Sequence, residues 1–490
     1  MRENSWTENE TDKELEPLSS LLTDWSDSEV EEESSYSLGM SGRRRKAAIT
    51  LTIIWTGTIL LHLVSWGIWL ILGLTTLMGI HAVRMMLARP AAAPVPRSDE
   101  AGVELDPEVA FPSVSLLVAA KNEEAVIGNL VKALCNLDYP SDRYELWVIN
   151  DNSTDKTPIL LDQLTQVYPQ LKVIHRSGDA TGGKSGALNQ ALSLTHGEIV
   201  AVFDADAHVP PDLLRQVLPL FDPPQMGAVQ VRKAIANAST NLWTRGQSAE
   251  MALDSFFQQQ RIAIGGIGEL RGNGQFVRRS ALKSCGGWNE ETITDDLDLT
   301  LRLHLNQWDI GFLAFPAVDE EGVTNALGLW HQRNRWAEGG YQRYLDYWRL
   351  IAHNRLGLRK TFDLLMFWIT QYILPTAAVP DFVMAIARNR MPILSPVTGL
   401  TLTLSLMGMF IGLRRMHPSV ESADQKSSKL TSLLVTLLQT LRGTLYMLHW
   451  LPVIASTTAR MSIRPKRLKW VKTTHQGKNE VWLDMPKHPS

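Results

Sequence analysis

The chain has 490 residues, 44% hydrophobic and 20% charged, with a formal net charge of −3, a length that predicts two to four structural units rather than one core. The composition excludes a collagen and a wholly disordered chain. Only two cysteines occur, Cys135 and Cys285, which excludes a disulfide framework and a cysteine-rich zinc site; both read as small buried apolar residues.

The near-neutral total hides a strong segregation. Residues 1–40 hold twelve acidic and two basic side chains. Acidic, serine-rich and without apolar periodicity, residues 1–42 predict a disordered cytoplasmic tail. From Ala47 to Val83 no charged residue occurs. As a single helix that run would be about 55 Å long, against a hydrocarbon core of about 30 Å. Residues 43–87 therefore predict a transmembrane hairpin turning near Ser65, Trp66 and Gly67; one tilted span with an interfacial segment is the alternative. Arg43, Arg44, Arg45 and Lys46 precede the run, and Arg84 and Arg89 follow it. Basic flanks place both ends on the cytoplasmic side.

Residues 88–108, with Pro90, Pro94 and Pro96, read as a linker. Residues 109–350 alternate strand-like and helix-like stretches, which predicts an α/β domain with a mainly parallel sheet. The strand-like runs are Val114–Ala120, Glu145–Asn150, Lys172–His175, Glu198–Phe203 and Gly227–Val231. Between residues 360 and 460 the chain turns apolar again, in Leu364–Pro380, Met391–Leu413 and Leu430–Ala459. The middle stretch reads as a span, the others as shorter spans or interfacial amphipathic helices. Residues 461–490 form a basic, cytoplasmic tail.

Open parallel sheets bind ligands beyond the carboxyl ends of their strands, and polar clusters fall there. Val114–Ala120 runs into Lys121, Asn122, Glu123 and Glu124. Glu145–Asn150 runs into Asp151, Asn152, Ser153, Thr154 and Asp155, a cluster that helix capping alone would also explain. Asp204-Ala205-Asp206 places two carboxylates on one side of an extended segment, an arrangement suited to a hard divalent ion. Thr294, Asp295, Asp296 and Asp298 open an amphipathic stretch. A cap with acids in the first turn accounts for them, and so does a carboxylate of raised proton affinity acting as a general base. Gln332, Arg333, Asn334, Arg335 and Trp336 combine planar donors for phosphate oxygens with a flat face for a sugar. Gly178, Gly183, Lys184 and Ser185 satisfy the spacing of a phosphate loop. A nucleoside triphosphatase would leave Asp206, Asp296 and Arg335 without a use.

In order, Val118-Ala-Ala-Lys-Asn-Glu-Glu, Asn150-Asp-Asn-Ser-Thr-Asp, Lys184-Ser-Gly-Ala-Leu-Asn, Asp204-Ala-Asp, Thr294-Asp-Asp and Gln332-Arg-Asn-Arg-Trp resemble the family-2 glycosyltransferases of the membrane-bound, cellulose-synthase-like branch, over roughly residues 110–345. The resemblance implies a GT-A fold that transfers a sugar from a nucleotide diphosphate with inversion, flanked by transmembrane and interfacial helices. It implies that Glu123 and Asp151 hold the uracil and ribose, and that Lys184 contacts the nucleotide. Asp204 would support the nucleotide side and Asp206 would ligate Mg²⁺ (or Mn²⁺). Asp296 matches the catalytic base, Gln332 and Arg335 the diphosphate grip, and Trp336 the acceptor site. Asn150 stands where an aspartate is common, and Asp295 where glutamate is commoner. Gly42-Arg-Arg-Arg-Lys-Ala-Ala, Leu61-His-Leu-Val-Ser-Trp-Gly and Trp470-Val-Lys-Thr-Thr-His are similar to a lipid-glycosylating branch. That similarity implies UDP-glucose as donor and 1,2-diacylglycerol at the lipid bilayer as acceptor, in a multi-pass membrane protein with a cytoplasmic catalytic domain and no nucleic-acid partner. A processive polysaccharide synthase and a nucleotide-sugar-binding scaffold without turnover are the alternatives.

Overall fold

The computed structural model describes residues 42–91, 111–416 and 429–463. The acidic head, most of the linker and the basic tail beyond Ile463 lie outside the described residues. Among the described residues two apolar helices come first, α1 (Arg43–Leu63) and α2 (Gly67–Leu87), broken at the turn the sequence predicts. A Cβ on Gly67 would lie 2.0 Å from the Leu61 carbonyl oxygen, so this corner takes glycine alone.

The α/β domain runs β1 (Val114–Ala120), α3 (Ile127–Cys135), β2 (Tyr144–Asn150), α4 (Thr157–Thr165), β3 (Leu171–His175), α5 (Gly183–Leu192), β4 (Ile199–Phe203), α6 (Leu213–Val217), β5 (Met226–Ile235), α7 (Leu242–Ala263), β6 (Gln275–Arg278), α8 (Arg279–Ser284), α9 (Asp295–Leu305), β7 (Asp309–Glu320) and α10 (Ala326–Ala352). The seven strands lie in the order β3-β2-β1-β4-β6-β5-β7. β3, β2, β1 and β4 are parallel; β6 runs antiparallel to β4 and β5, and β7 is parallel to β5. β1 has a strand on each side and helices over both faces, so all seven of its residues are buried, which is why it reads as a continuous apolar run. Leu130, Leu161 and Leu214 cover one face of the sheet; Leu188, Leu282 and Leu299 cover the other. Cys135 and Cys285 are buried and unpaired. β6 and β7 escape the sequence reading because β6 has four residues and Pro316 interrupts β7.

The mainly parallel half brings the ends of β1, β2 and β4 side by side. Ala120 pairs with Asn150, and Val118 with Phe203. Lys121–Glu124, Asp151–Asp155 and Asp204–Asp206 thus share one edge of the sheet.

Beyond α10 come α11 (Leu358–Trp368), a π-helical turn (Ile369–Ile373), α12 (Leu374–Ala387), α13 (Ser395–Met416), α14 (Lys429–Met447) and α15 (Trp450–Ile463). Among the described residues, four segments are long and apolar enough to cross a membrane: α1, α2, the continuous Leu358–Ala387 and α13. The third apolar stretch of the sequence breaks after Met447 into α14 and α15. α14 exposes Leu434, Leu437, Leu438, Leu441 and Leu445, a face fit for lipid.

Two seams join the α/β domain to these helices. Leu301, Ala337 and Tyr341 pack with Ala47, Val453 and Ile454. Ala252 and Leu253 of α7 pack with Met409 and Leu413 of α13. A Cβ on Gly412 would lie 2.5 Å from the Ala252 carbonyl oxygen, so the close approach of α7 and α13 depends on that glycine. A capping box starts α7, with the Asn241 side chain accepting from the Trp243 and Thr244 amides.

Candidate active site

A cavity of about 1030 Å³ lies between the carboxyl edge of the sheet and the apolar helices. Glu123, Lys184, Asp204, Asp206, Asp296, Gln332, Arg335 and Trp336 all line it. Asp151 does not. Its buried carboxylate accepts from Arg176 and has Lys121 at 3.5 Å, at the neighbouring end of β2.

Asp204-Ala-Asp206 departs from the extended geometry expected of it. The chain turns directly after β4, and the Ala207 amide donates to the Asp204 carbonyl at 3.0 Å. Both side chains reach the cavity from that turn. Asp204 pairs with Lys184, which sits at the start of α5 behind a glycine turn with φ +82° at Gly182 and +53° at Gly183. A Cβ on Gly182 would lie 2.2 Å from a Glu290 carboxylate oxygen. Burial alone would lower the Lys184 pKa, but Asp204, Asp295 and Asp296 more than offset it and the net shift is upward. The ammonium is therefore fixed as a cation. Asp206 is buried, and one of its oxygens accepts from the Glu321 amide at 2.9 Å.

Thr294 stands at the N-cap of α9 but makes no capping hydrogen bond; its hydroxyl is buried without a partner. The acids do fall in the first turn of α9, as the capping account expects, but the hydroxyl bond expected of Thr294 is absent. Asp296 accepts from the Leu297 amide at 2.8 Å. Burial, then the adjacent Asp295 carboxylate, raise its pKa to about 6, against the opposing pull of that amide, Lys184 and Lys233. Asp298 is turned away, accepting from Arg302 at 2.6 Å and from the Tyr347 hydroxyl at 2.8 Å.

The Gln-Arg-Asn-Arg-Trp motif divides on α10. Gln332, Arg335 and Trp336 face the cavity, whereas Arg333 is wholly buried, donating to Glu250 and, at 2.7 Å, to Gln332. The Arg333 guanidinium lies 4.1 Å from the Trp336 ring centroid and orients the indole from behind. Lys233 approaches the same ring at 5.6 Å and pairs with Glu320 at 2.8 Å. Burial opposes its charge, but Glu320, Asp204 and Asp296 raise its pKa overall.

Sequence reasoning missed Lys233, Glu320, Glu250 and the charges between the sheet and the helices. There Glu269, fully buried, meets Arg271 at 2.7 Å, Arg343 at 2.9 Å and Arg261 at 3.6 Å. Burial would raise its pKa, and the three guanidiniums depress it well below the usual carboxylate range. The run Gly268-Glu-Leu-Arg carries no recognisable spacing, so no local signal marks it.

Among the described residues, no group of three or more His, Cys, Asp or Glu side chains is arranged to hold a metal ion. Two carboxylates at one cavity edge, Asp204 and Asp206, are hard oxygen donors of the type magnesium or manganese prefers. They fit an ion that takes its other ligands from a diphosphate.

Residues 112–339 match the family model described as glycosyltransferase like family 2. The chain is 62% identical over 484 residues to a beta-monoglucosyldiacylglycerol synthase of Nostoc sp., covering 98% of this chain and all of that one. It is 56% identical to the protein of the same name in Synechocystis sp., covering 98% of each. Among solved structures, a mannosyltransferase of Pyrobaculum calidifontis in complex with GDP-Man and Mn²⁺ aligns with a TM-score of 0.48 at 21% identity, over 82% of this chain and 99% of that one.

Proposed function

We propose that this chain, which belongs to the family-2 glycosyltransferases, transfers glucose from UDP-glucose to the free hydroxyl of 1,2-diacylglycerol, with inversion at the anomeric carbon. Relatives named for the glucosylated lipid share 56–62% of its residues over nearly their full length. The observation that carries the reading is the cavity itself. One continuous space joins the Asp296 carboxylate to apolar helices, so a hydroxyl can meet the base while aliphatic chains stay in an apolar surround.

The chemistry follows from the residues. Asp296, raised to about 6, is ionised near neutral pH yet basic enough to take the acceptor hydroxyl proton. As that proton leaves, the acceptor oxygen bonds to the anomeric carbon and the bond to the diphosphate oxygen breaks. A single displacement inverts the centre and needs no covalent nucleophile. Lys184 and Arg335 meet the negative charge that develops on the departing UDP. Gln332 lines the diphosphate side, and Trp336 offers its face to the sugar and acceptor. Glu123, at the end of β1, would hold the uracil and ribose, with Asp151, off the cavity wall at the end of β2, positioning Lys121 and Arg176 beside it. Asp206, with Asp204 beside it, would hold Mg²⁺ or Mn²⁺, which supplies Lewis-acid neutralisation of the diphosphate when bound.

The basic flanks of α1 and α2 support a multi-pass arrangement with the catalytic domain on the cytoplasmic face, against the leaflet where the lipid acceptor resides. The test is to supply the purified protein with radiolabelled UDP-glucose, with and without diacylglycerol. A chloroform-soluble monoglucosylated lipid that forms only with diacylglycerol is expected. Label confined to insoluble polymer overturns the reading in favour of a polysaccharide synthase.

A further inference from the structure

The cavity extends beyond the reacting groups, and its far part has two distinct walls. α12 packs on α1 and α15, whereas α13 packs on α7, α14 and α2; the two groups meet at one end, where Ala377 of α12 and Val397 of α13 pack with Ile71 and Met78 of α2. Pro375 of α12 and Leu451 and Ile454 of α15 line the cavity from one side, and Leu402 and Ser405 of α13 and Met447 of α14 from the other. The space is therefore a cleft between two helix groups. Leu402 and Leu451, one on each wall, are each 45% exposed. The π-helical turn Ile369–Ile373 lies on the first wall and interrupts the regular ladder between α11 and α12, a distortion that commonly marks a functional site; it points Thr370 and Gln371 into the same space.

A second observation points to a ligand. Thr436 and Thr440 of α14 donate to the carbonyls four residues before them, at 2.9 and 2.8 Å. Thr444 continues the same row and is 8% exposed, but its hydroxyl has no partner. It lies on the cavity wall. A buried hydroxyl left unmatched costs about 1–3 kcal/mol unless something supplies an acceptor.

We propose that this cleft is the acyl-chain site of the acceptor: the two chains of the glycerolipid lie between the α12–α15 and α13–α14 walls, and the Thr444 hydroxyl donates to an ester carbonyl. Chains held there leave the free hydroxyl at the polar end, where Asp296 and Trp336 lie. The inference rests on the diacylglycerol reading above. It goes further by assigning the residues that recognise the aliphatic part.

The test uses full-length protein in lipid nanodiscs, with Ser405→Cys and Leu402→Cys made separately. Both native cysteines are buried, so a bulky maleimide reports on the introduced thiol. Dioleoylglycerol is expected to slow labelling at both positions at least several-fold, while UDP alone does not. A Leu438→Cys control on the outer face of α14 is expected to label at a rate that diacylglycerol leaves unchanged. Thr444→Val is expected to raise KM for diacylglycerol several-fold with kcat little altered. If the wild-type protein turns over diacylglycerol but the lipid protects neither cysteine, or protects the control equally, the cleft assignment is overturned and the proposed reaction stands. If the wild-type protein does not glucosylate diacylglycerol at all, the proposed reaction falls and the cleft assignment falls with it.

Discussion

Arg333 and Glu250, 83 residues apart in sequence, form a buried ion pair between α10 and α7 directly behind the Trp336 ring. Glu250 also accepts from the Trp450 indole at 2.8 Å and the Tyr446 hydroxyl at 3.3 Å. One carboxylate thus ties the helix bearing Trp336 to both α14 and α15. Replacing Glu250 with alanine strands a guanidinium in the interior, which costs about 3–5 kcal/mol. The expected outcome is a large drop in the thermal stability of the detergent-solubilised protein, with a smaller drop for Glu250→Gln. A melting temperature unmoved by either change would show that the pair contributes nothing.

Asp296→Asn keeps the shape of the carboxyl group and removes its basicity. Turnover should fall by at least about 100-fold, the contribution of a general base, while UDP binds within a few-fold of the wild-type affinity. Calorimetric titration with UDP beside the lipid assay separates these outcomes. Near-normal turnover would exclude Asp296 as the base.

Because the base acts only when ionised, the rate at saturating donor should rise with pH through about 6, the pKa to which burial and Asp295 bring Asp296. Asp295→Asn removes the repelling neighbour and should shift that midpoint downward. The linkage to stability has the sign opposite to that of a salt-bridged carboxylate. The folded pKa lies above the ordinary 3.8, so ionising Asp296 costs folding stability as pH rises from about 4 to about 6. Initial rates across pH 5 to 8 check the first statement, and a flat profile would contradict it.

Asp206→Ala should abolish the activity that magnesium or manganese restores after chelation. Lys184→Met should weaken UDP binding, since it removes the half-buried cation paired with Asp204. Retained activity that chelation still abolishes in the Asp206 variant would place the ion elsewhere, and chelator-insensitive activity would exclude a metal requirement.

Gly182→Ala should reduce UDP affinity more than stability. The left-handed backbone and the nearby Glu290 carboxylate exclude a Cβ, so the start of α5 and Lys184 must move. Equal affinities for both proteins would show that this turn adapts.

Much of the cavity edge was legible because strand ends are local features. An apolar run that stops at Ala120, Asn150 or Phe203 places its following polar residues at the sheet edge whatever else the chain does. The Asp296 motif was legible as a cluster but not in its internal assignment, since Asp298 lies two residues from Asp296 and faces Arg302 and Tyr347 instead. Lys233 and Glu250 were invisible because their partners, Glu320 and Arg333, lie 87 and 83 residues away and no spacing rule connects them.

The amino-acid order alone determined the segregation into apolar and polar stretches, the break near Gly67 and the succession of motifs that marks the family, all of which depend on near neighbours and on solvent preference. Tertiary structure decided which charges meet. Packing of α7, α9 and α10 against the sheet turned Arg333 and Asp298 inward, left Arg335 and Asp296 facing the cavity, and kept Asp151 off its wall. It also opened the cavity toward the apolar helices, a property of how distant segments pack rather than of any one of them. An overall charge of −3 thus comprises an acidic head, basic flanks on the first apolar helices and an arrangement of carboxylates and cations at the cavity whose pairing only the folded chain determines.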